Sequence, residues 1–373
     1  MAFSVNCEIE EEESINSVAK QFRRFDVVAD DSDHLYLRTN RSHKDNNNGG
    51  DCLIKPSSGV HKKIMKEWKV LEENLPDSIY VRVYERRIDL LRAVIIGSAG
   101  TPYHDGLFFF DLAFPPDYPA RPPQVSYRSF GLRLNPNLYA NGRVCLSLLN
   151  TWVGNKREKW NPAESTVLQV LVSIQGLVLN EKPYYNEPGS GVFPGGSKKS
   201  MAYSENAFVL SCKTMVYLLR RPPKNFDDFV ASHFRERARV ILTASNAYLN
   251  GTARVGYYTD DGSGSGSSSS SSSSSVNVSS HFKSMMKSWY PEMVASFNKT
   301  GASLGNFVEQ LKVEKETASS LSLKKKKKTA SSRPLVIAKT TCGVSMMIGK
   351  VKKILGLKKV GKGHENRIMV KSS

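Results

Sequence analysis

Apolar positions along the chain recur with two different periods. Val60 to Asn74 repeats them at four- and three-residue steps, with Ile64, Trp68 and Leu71 on one stripe, which is the period of an amphipathic helix. Lys62, Lys63 and Lys66 fall on its polar side, and Pro76 stops it, because proline lacks an N–H and clashes with the preceding turn. The period then shortens. Ile79 to Tyr84 alternates, Leu90 to Ile96 is continuously apolar, Leu107 to Phe114 is aromatic and apolar behind an Asp105-Gly106 turn, and Gln124 to Tyr127 fits a further short strand. Four short consecutive strands predict an antiparallel meander. Helical spacing returns over Val167 to Leu179, with Leu168, Leu171, Val172 and Leu179 on the apolar side and Ser165 or Thr166 as the N-cap. Two more helices are predicted near Ala202 to Leu219 and Phe226 to Tyr248. By pattern alone, residues 57–250 form an α+β domain.

The flanks read differently. Residues 1–56 form a mostly flexible acidic segment, in which an element around Phe25 to Leu37 is expected to order on a partner. Residues 251–280 are a Gly/Ser linker with nine consecutive serines from Ser267 to Ser275. Residues 281–320 hold a short helix, His281 to Asn298, whose apolar face comprises Phe282, Met285, Met286, Trp289 and Met293 and which Pro291 should interrupt. Residues 321–373 form a basic tail. Five lysines, Lys324 to Lys328, precede an amphipathic pattern in which Met347, Val351, Ile354 and Leu355 share one face.

Charge changes the picture only locally. The net charge is +18, but the tail holds thirteen Lys and two Arg against one Glu, so +4 remains for everything before it. The high basicity describes the tail, not the core. The five cysteines (Cys7, Cys52, Cys145, Cys212, Cys342) are odd in number and widely spaced, which argues against a disulfide framework and for a reducing compartment. Glu10 to Glu13 stand where a secretory signal would need basic and then apolar residues. No stretch approaches the ~20 apolar residues of a membrane span. Neither metal-type spacing nor a nucleotide loop is visible.

The candidate chemistry sits at Cys145, eight residues after the proline-locked Asn137 in Asn135-Pro136-Asn137-Leu138-Tyr139-Ala140-Asn141-Gly142-Arg143-Val144-Cys145-Leu146. A thiolate attacks an acyl carbonyl and holds the acyl group as a thioester. An asparagine N–H stabilises the oxyanion formed when an amine attacks that thioester. No histidine is close in sequence, so a Cys-His protease pair is not indicated.

With the proline run Phe114-Pro115-Pro116-Asp117-Tyr118-Pro119-Ala120-Arg121-Pro122-Pro123 upstream and Trp160-Asn161-Pro162 downstream, this stretch resembles the catalytic core of the ubiquitin-conjugating enzymes. The resemblance covers roughly Val60 to Gly189. It implies the family's fold: an N-terminal helix, a four-stranded antiparallel meander and C-terminal helices, here with disordered flanks. It also implies that Cys145 accepts ubiquitin from an activating enzyme, which spends the ATP upstream, and passes it to a lysine of a protein substrate, directly or with a ligase. No bound cofactor or metal is implied. Lys62, Lys63 and Lys66 become candidate contacts for the activating enzyme, and Ala120, Pro162 and Ala163 mark the ligase-facing loops. Ala120 stands where the family often has a large apolar residue, and Asn135 stands where it has histidine, a change expected to affect loop packing more than chemistry. The acidic residue that often activates the incoming amine has no unique counterpart here, leaving Tyr185, Asn186 and Glu187 as candidates. Leu146 to Lys159 is longer than in minimal members and, with Pro183-Tyr184-Tyr185-Asn186-Glu187, resembles the large multidomain subgroup. That subgroup includes hybrid conjugating/ligase enzymes and a plant phosphate-transport regulator.

Cytoplasmic or nuclear localisation is expected. Three other readings stay open from sequence: a non-catalytic module on the same fold, conjugation of a different ubiquitin-like modifier, and a basic tail that contacts an anionic membrane or nucleic acid.

Overall fold

The computed structural model describes residues 22–39, 58–190, 195–258, 276–314 and 316–317. Expectations for the acidic start of the chain, the serine run and the basic tail lie outside the described residues. The described residues up to Val313 form one compact unit.

The first long helix, α2 (Gly59–Asn74), starts where Ser58 Oγ accepts from the N–H of His61 at 3.1 Å, and it ends as the chain turns extended at Leu75, ahead of Pro76. It buries Ile64, Glu67 and Leu71. The sheet follows: β2 (Ile79–Tyr84), β3 (Leu90–Ile96), β4 (Leu107–Ala113) and β5 (Gln124–Tyr127), antiparallel neighbours in chain order. The expected four-stranded meander is nonetheless incomplete. A fifth strand, β1 (Phe25–Val28), pairs parallel with β2, Phe25 opposite Val81.

That strand corrects the reading of residues 1–56. The Phe25 to Leu37 element is ordered against the sheet of its own chain. Buried charge pins it. The Arg92 guanidinium, 1% exposed, donates to both carboxylate oxygens of Asp111 at 2.6 and 3.0 Å and to Asp33 at 2.6 Å. His34 Nε2 bonds the carbonyl of Leu91 at 3.1 Å, and the N–H of Leu35, which opens the short helix α1 (Leu35–Thr39), donates to Asp111 at 2.9 Å. Arg82 lies 4.0 Å over the ring of Phe22, and burial lowers its pKa to about 10.

Helices cover both faces of the sheet. One face, with Val81, Ala93, Ile95, Phe108 and Phe110, packs against α2 and against α3 (Val167–Ser173). The other, with Val94, Leu107 and Phe109, packs against α4 (Gly196–Arg220), α5 (Asp227–Asn250) and α6 (Ser280–Asn298). An antiparallel sheet usually keeps one face in water and alternates accordingly. Burial on both sides explains why Leu90 to Ile96 reads as an unbroken apolar run.

Three further expectations change in detail. The predicted Val167–Leu179 helix is α-helical only to Ser173 and then widens into a π turn, Ile174–Val178. Pro291 does not interrupt α6, because Phe282, Met286, Tyr290, Met293, Val294 and Phe297 on both sides of it are buried in the cluster with α4 and α5. The rung lost at proline is outweighed by that packing. The expected 251–280 linker is packed at its described ends: Gly251 caps α5 at φ 71°, Val255 is buried, and Ser279 caps α6.

Candidate active site

Asn135 to Cys145 folds as a small hairpin on the α2–α3 side of the molecule. Its rungs are Cys145 N–H to Asn137 O at 2.9 Å and Tyr139 N–H to Arg143 O at 3.0 Å. Gly142 makes the turn at φ 89°, and a Cβ there would fall 2.8 Å from the carbonyl oxygen of Tyr127, so only glycine fits. Leu138 and Val144 bridge across the hairpin and point into the core. By strand alternation, Asn137, Tyr139, Arg143 and Cys145 therefore face the other way. Cys145 is 2% exposed yet stands outside both hydrophobic clusters. The other described cysteine, Cys212, lies inside a cluster, where burial pushes its thiol pKa far up.

Asparagines frame this hairpin. Asn137 Nδ2 donates to the carbonyl of Cys145 at 2.9 Å, and its own N–H donates to Asn135 Oδ1 at 2.8 Å. The amide has a second Nδ2 hydrogen to offer, and its Oδ1 is buried without a hydrogen-bond partner. Asn135, fully buried, donates to Tyr103 Oη at 2.8 Å and to the Val178 carbonyl of the π turn at 2.7 Å. Asn186 Nδ2 reaches the same Val178 carbonyl at 3.1 Å, and its Oδ1 accepts from Asn180 at 2.6 Å. Asn135, in place of the family's histidine, thus joins the hairpin to the π turn.

The three amine-activating candidates lie on one 3-10 turn, Pro183–Asn186, and just after it. Asn186 is engaged in the loop frame. Glu187 pairs with Arg133 at 3.8 Å. Tyr185 presents its ring at the surface, 43% exposed, edge-on to Tyr184.

Thr151 was not singled out by sequence reasoning. Its Oγ1 donates to the Val144 carbonyl at 2.7 Å and accepts from the Leu146 N–H at 3.0 Å. The inserted loop therefore grips the backbone on both sides of Cys145. Beside it an open groove runs past Leu146, Ser147, Lys156, Gln169 and the exposed Leu177.

Trp160 holds the two proposed ligase-facing loops side by side. Its Nε1–H donates to the Pro119 carbonyl at 2.7 Å, leaving Ala120, Pro162 and Ala163 exposed. On α2, Lys62 and Lys66 are exposed, whereas Lys63 leans on Glu67 at 3.7 Å. Glu67, also unforeseen, is buried between two elements. It accepts from Tyr118 Oη at 2.8 Å and from the first N–H of α3, Val167, at 2.9 Å. Burial and the Glu67 carboxylate together push the Tyr118 phenol well up. The described histidines near the sheet are used elsewhere: His34 on Leu91, His233 on the Asp105 carbonyl at 2.8 Å, and His104 on Asp105 and Tyr248.

Comparison with known proteins identifies the family. Residues 63–193 match the family model described as ubiquitin-conjugating enzyme. The chain is 58% identical over 239 residues to the probable ubiquitin-conjugating enzyme E2 25 of Arabidopsis thaliana, covering 63% of this chain and 37% of that protein. It is 55% identical over 235 residues to the putative ubiquitin-conjugating enzyme E2 38 of the same plant, covering 62% of this chain and 69% of that protein. Over 254 residues it is 40% identical to the dual E2 ubiquitin-conjugating enzyme/E3 ubiquitin-protein ligase BIRC6 of Homo sapiens, covering 65% of this chain and 5% of that protein. The chain thus spans little more than a third of the first of these relatives. The hairpin, its cysteine and these matches together place the chain in the ubiquitin-conjugating enzyme family.

Proposed function

We propose that Cys145 carries ubiquitin as a thioester and hands it to a lysine. The observation that carries this reading is the reciprocal pairing of Asn137 and Cys145 on the outward side of a rigid hairpin. In the first step the Cys145 thiolate attacks the C-terminal carbonyl carbon of ubiquitin held on an activating enzyme, and that enzyme's thiolate leaves. In the second step a lysine nitrogen attacks, the carbon–sulfur bond breaks, Cys145 leaves as thiolate, and the amine gives up a proton. The free Nδ2 hydrogen of Asn137 is the donor placed for the oxyanion of that second step. The groove past Leu146 and Leu177 seats the extended end of the modifier. Lys62 and Lys66, with Lys63 beside them, meet the activating enzyme, and the loops tied by Trp160 meet a ligase. ATP is spent upstream, and the chain itself needs no cofactor.

The reaction belongs in the cytoplasm or nucleus. The basic tail adds an anionic contact, on membrane or nucleic acid, whose binding should weaken steeply with salt.

The test is charging with activating enzyme, ATP and ubiquitin on a non-reducing gel. A thiol-sensitive adduct on the parent and none on Cys145→Ala is expected. An adduct of equal yield on both proteins would remove Cys145 from the reaction. Charging only with another ubiquitin-like modifier would keep the chemistry and change the modifier.

A further inference from the structure

At the C-terminal end of α4, cations and aromatic rings form a surface with no assigned use. Arg128 lies over the Phe130 ring at 5.6 Å, and Phe130 meets Tyr217 at 5.7 Å. Tyr217 meets Trp289 edge-on at 6.1 Å, and Lys213 lies over Trp289 at 5.6 Å. Phe130, Tyr217, Arg220 and Arg221 line an open groove of about 460 Å³. Phe130 is held at φ 49°, a conformation that bulky residues avoid. Ser129 fixes the turn, donating to the Ala140 carbonyl at 2.6 Å and accepting from the Gly131 N–H at 3.2 Å. Strain of this kind persists only where the surroundings impose it.

Charge in the groove is unbalanced. Arg220 pairs with Glu292 and Arg128 with Asp33 at 3.3 Å. Arg221 is exposed, and neither it nor Lys213 has a carboxylate partner among the described residues. Arg128 also donates to the Arg221 carbonyl at 3.4 Å, which offsets the partial negative charge of the helix end. The walls are thus aromatic and the rim cationic.

The chain itself carries the complement, Glu8-Ile9-Glu10-Glu11-Glu12-Glu13, outside the described residues. Nine positions after Glu13 comes Phe22, the first described residue, whose ring rests on Phe226 at 5.7 Å. Phe226 meets Phe109 at 5.1 Å, the Phe109 carbonyl accepts from the Arg128 N–H at 2.9 Å, and Phe130 follows two residues on. Nine residues reach up to roughly 30 Å, which exceeds that short chain of contacts. We propose that residues 8–13 dock in this groove, their carboxylates on Arg221 and Lys213 and Ile9 on the Phe130 and Tyr217 rings. The planar guanidinium of Arg221 meets a carboxylate bidentately and keeps its charge at every working pH. An acidic partner that uses the same groove must first displace the chain's own segment.

Zero-length carbodiimide coupling, which joins a carboxylate to a lysine amine in contact with it, tests this on the full chain with the linked peptides mapped by mass. The competing site for the glutamates is the lysine run of residues 324–328. In the parent, residues 8–13 should couple to Lys213 or to Lys224, which follows Arg221 by three residues. In Arg221→Lys they should couple at position 221 as well. Arg221→Glu should cut the yield at Lys213 and Lys224 about threefold, the scale of an exposed ion pair. About 0.5 M salt should cut it similarly, because screening is strong there. In a mixture of isotope-labelled and unlabelled chains, each link should join peptides of one label. Links confined to residues 324–328, links of mixed label, or yields unchanged in Arg221→Glu would each overturn the proposal.

Discussion

Asn137 and Cys145 hold each other. The side-chain amide of Asn137 donates to the carbonyl of Cys145, and the N–H of Cys145 donates to the carbonyl of Asn137, each at 2.9 Å. One residue therefore fixes the backbone of the proposed nucleophile while keeping an N–H in reserve. Asn137→Ala should slow discharge to free lysine about a hundredfold, the usual cost of losing an oxyanion donor. Charging from the activating enzyme should fall much less. Single-turnover assays of the two steps check this, and equal losses in both would mean that Asn137 only holds the loop.

Thr151 clamps Val144 and Leu146 around the nucleophile, so Thr151→Val removes a donor and an acceptor while keeping shape. The charging rate at saturating activating enzyme should drop about tenfold through misplacement of the thiol. Thr151→Ser should restore it. Valine and serine variants that charge alike would rule out the clamp.

Glu67 offers a sharper stability test. Glu67→Ala orphans the Tyr118 hydroxyl and the first N–H of α3, each at ~1–3 kcal/mol, so urea unfolding should show a loss of about 2–6 kcal/mol. Glu67→Gln keeps one oxygen acceptor and should lose clearly less. A neutral Glu67→Ala would mean that water replaces the carboxylate.

Arg92 sits between Asp111 and Asp33 with almost no access to solvent. Arg92→Ala strips Asp111 of its guanidinium and leaves Asp33 only the longer pair with Arg128 at 3.3 Å, and should cost about 3–5 kcal/mol. Limited proteolysis should then cut first within residues 22–39, which this network pins. Unchanged protection of that segment would show that apolar packing alone holds it.

Mild acid should weaken the fold through two buried histidines. Burial lowers the pKa of both His34 and His233 from the ordinary 6.5. Each binds its proton more weakly folded than unfolded, so their contribution is complete above about 6.5 and declines as pH falls through that value towards the folded ones. Urea midpoints at about pH 7.5 and 5.5 should differ, and His34→Gln should flatten the difference. The same slope in that variant would assign the effect to other groups.

The site was legible because its parts are local in sequence. Cys145 and Asn137 share one hairpin, and the proline run and Trp160 are short motifs of rare residues. The strands of the meander and α2 were legible because their apolar positions are periodic. What stayed hidden depends on distant partners. β1 is four residues long and gains its meaning only beside β2. Arg92 and Glu67 look like surface charges until the fold buries them, and Asp33 until the fold sets it on Arg92. Thr151 is one of many threonines until its loop returns to Cys145. The Thr166–Gln169 capping box is an exception: both halves are in the sequence, yet the glutamine three residues on was not read as part of the cap. Pro291 misled because a local rule was applied where packing on both sides prevails.

The covered second face of the sheet separates two units that are easily confused. Homology recognises residues 63–193, and all the proposed chemistry sits there. Yet Val94, Leu107 and Phe109 of that stretch rest on Phe208, Phe226 and Phe234, and α6 seals those in turn with Met286, Met293 and Phe297. A chain cut at residue 250 would keep every reacting group and bare an oily wall as broad as a helix. Such a fragment should stick to itself before it meets a substrate, so the smallest piece that can react is shorter than the smallest piece that can live in water.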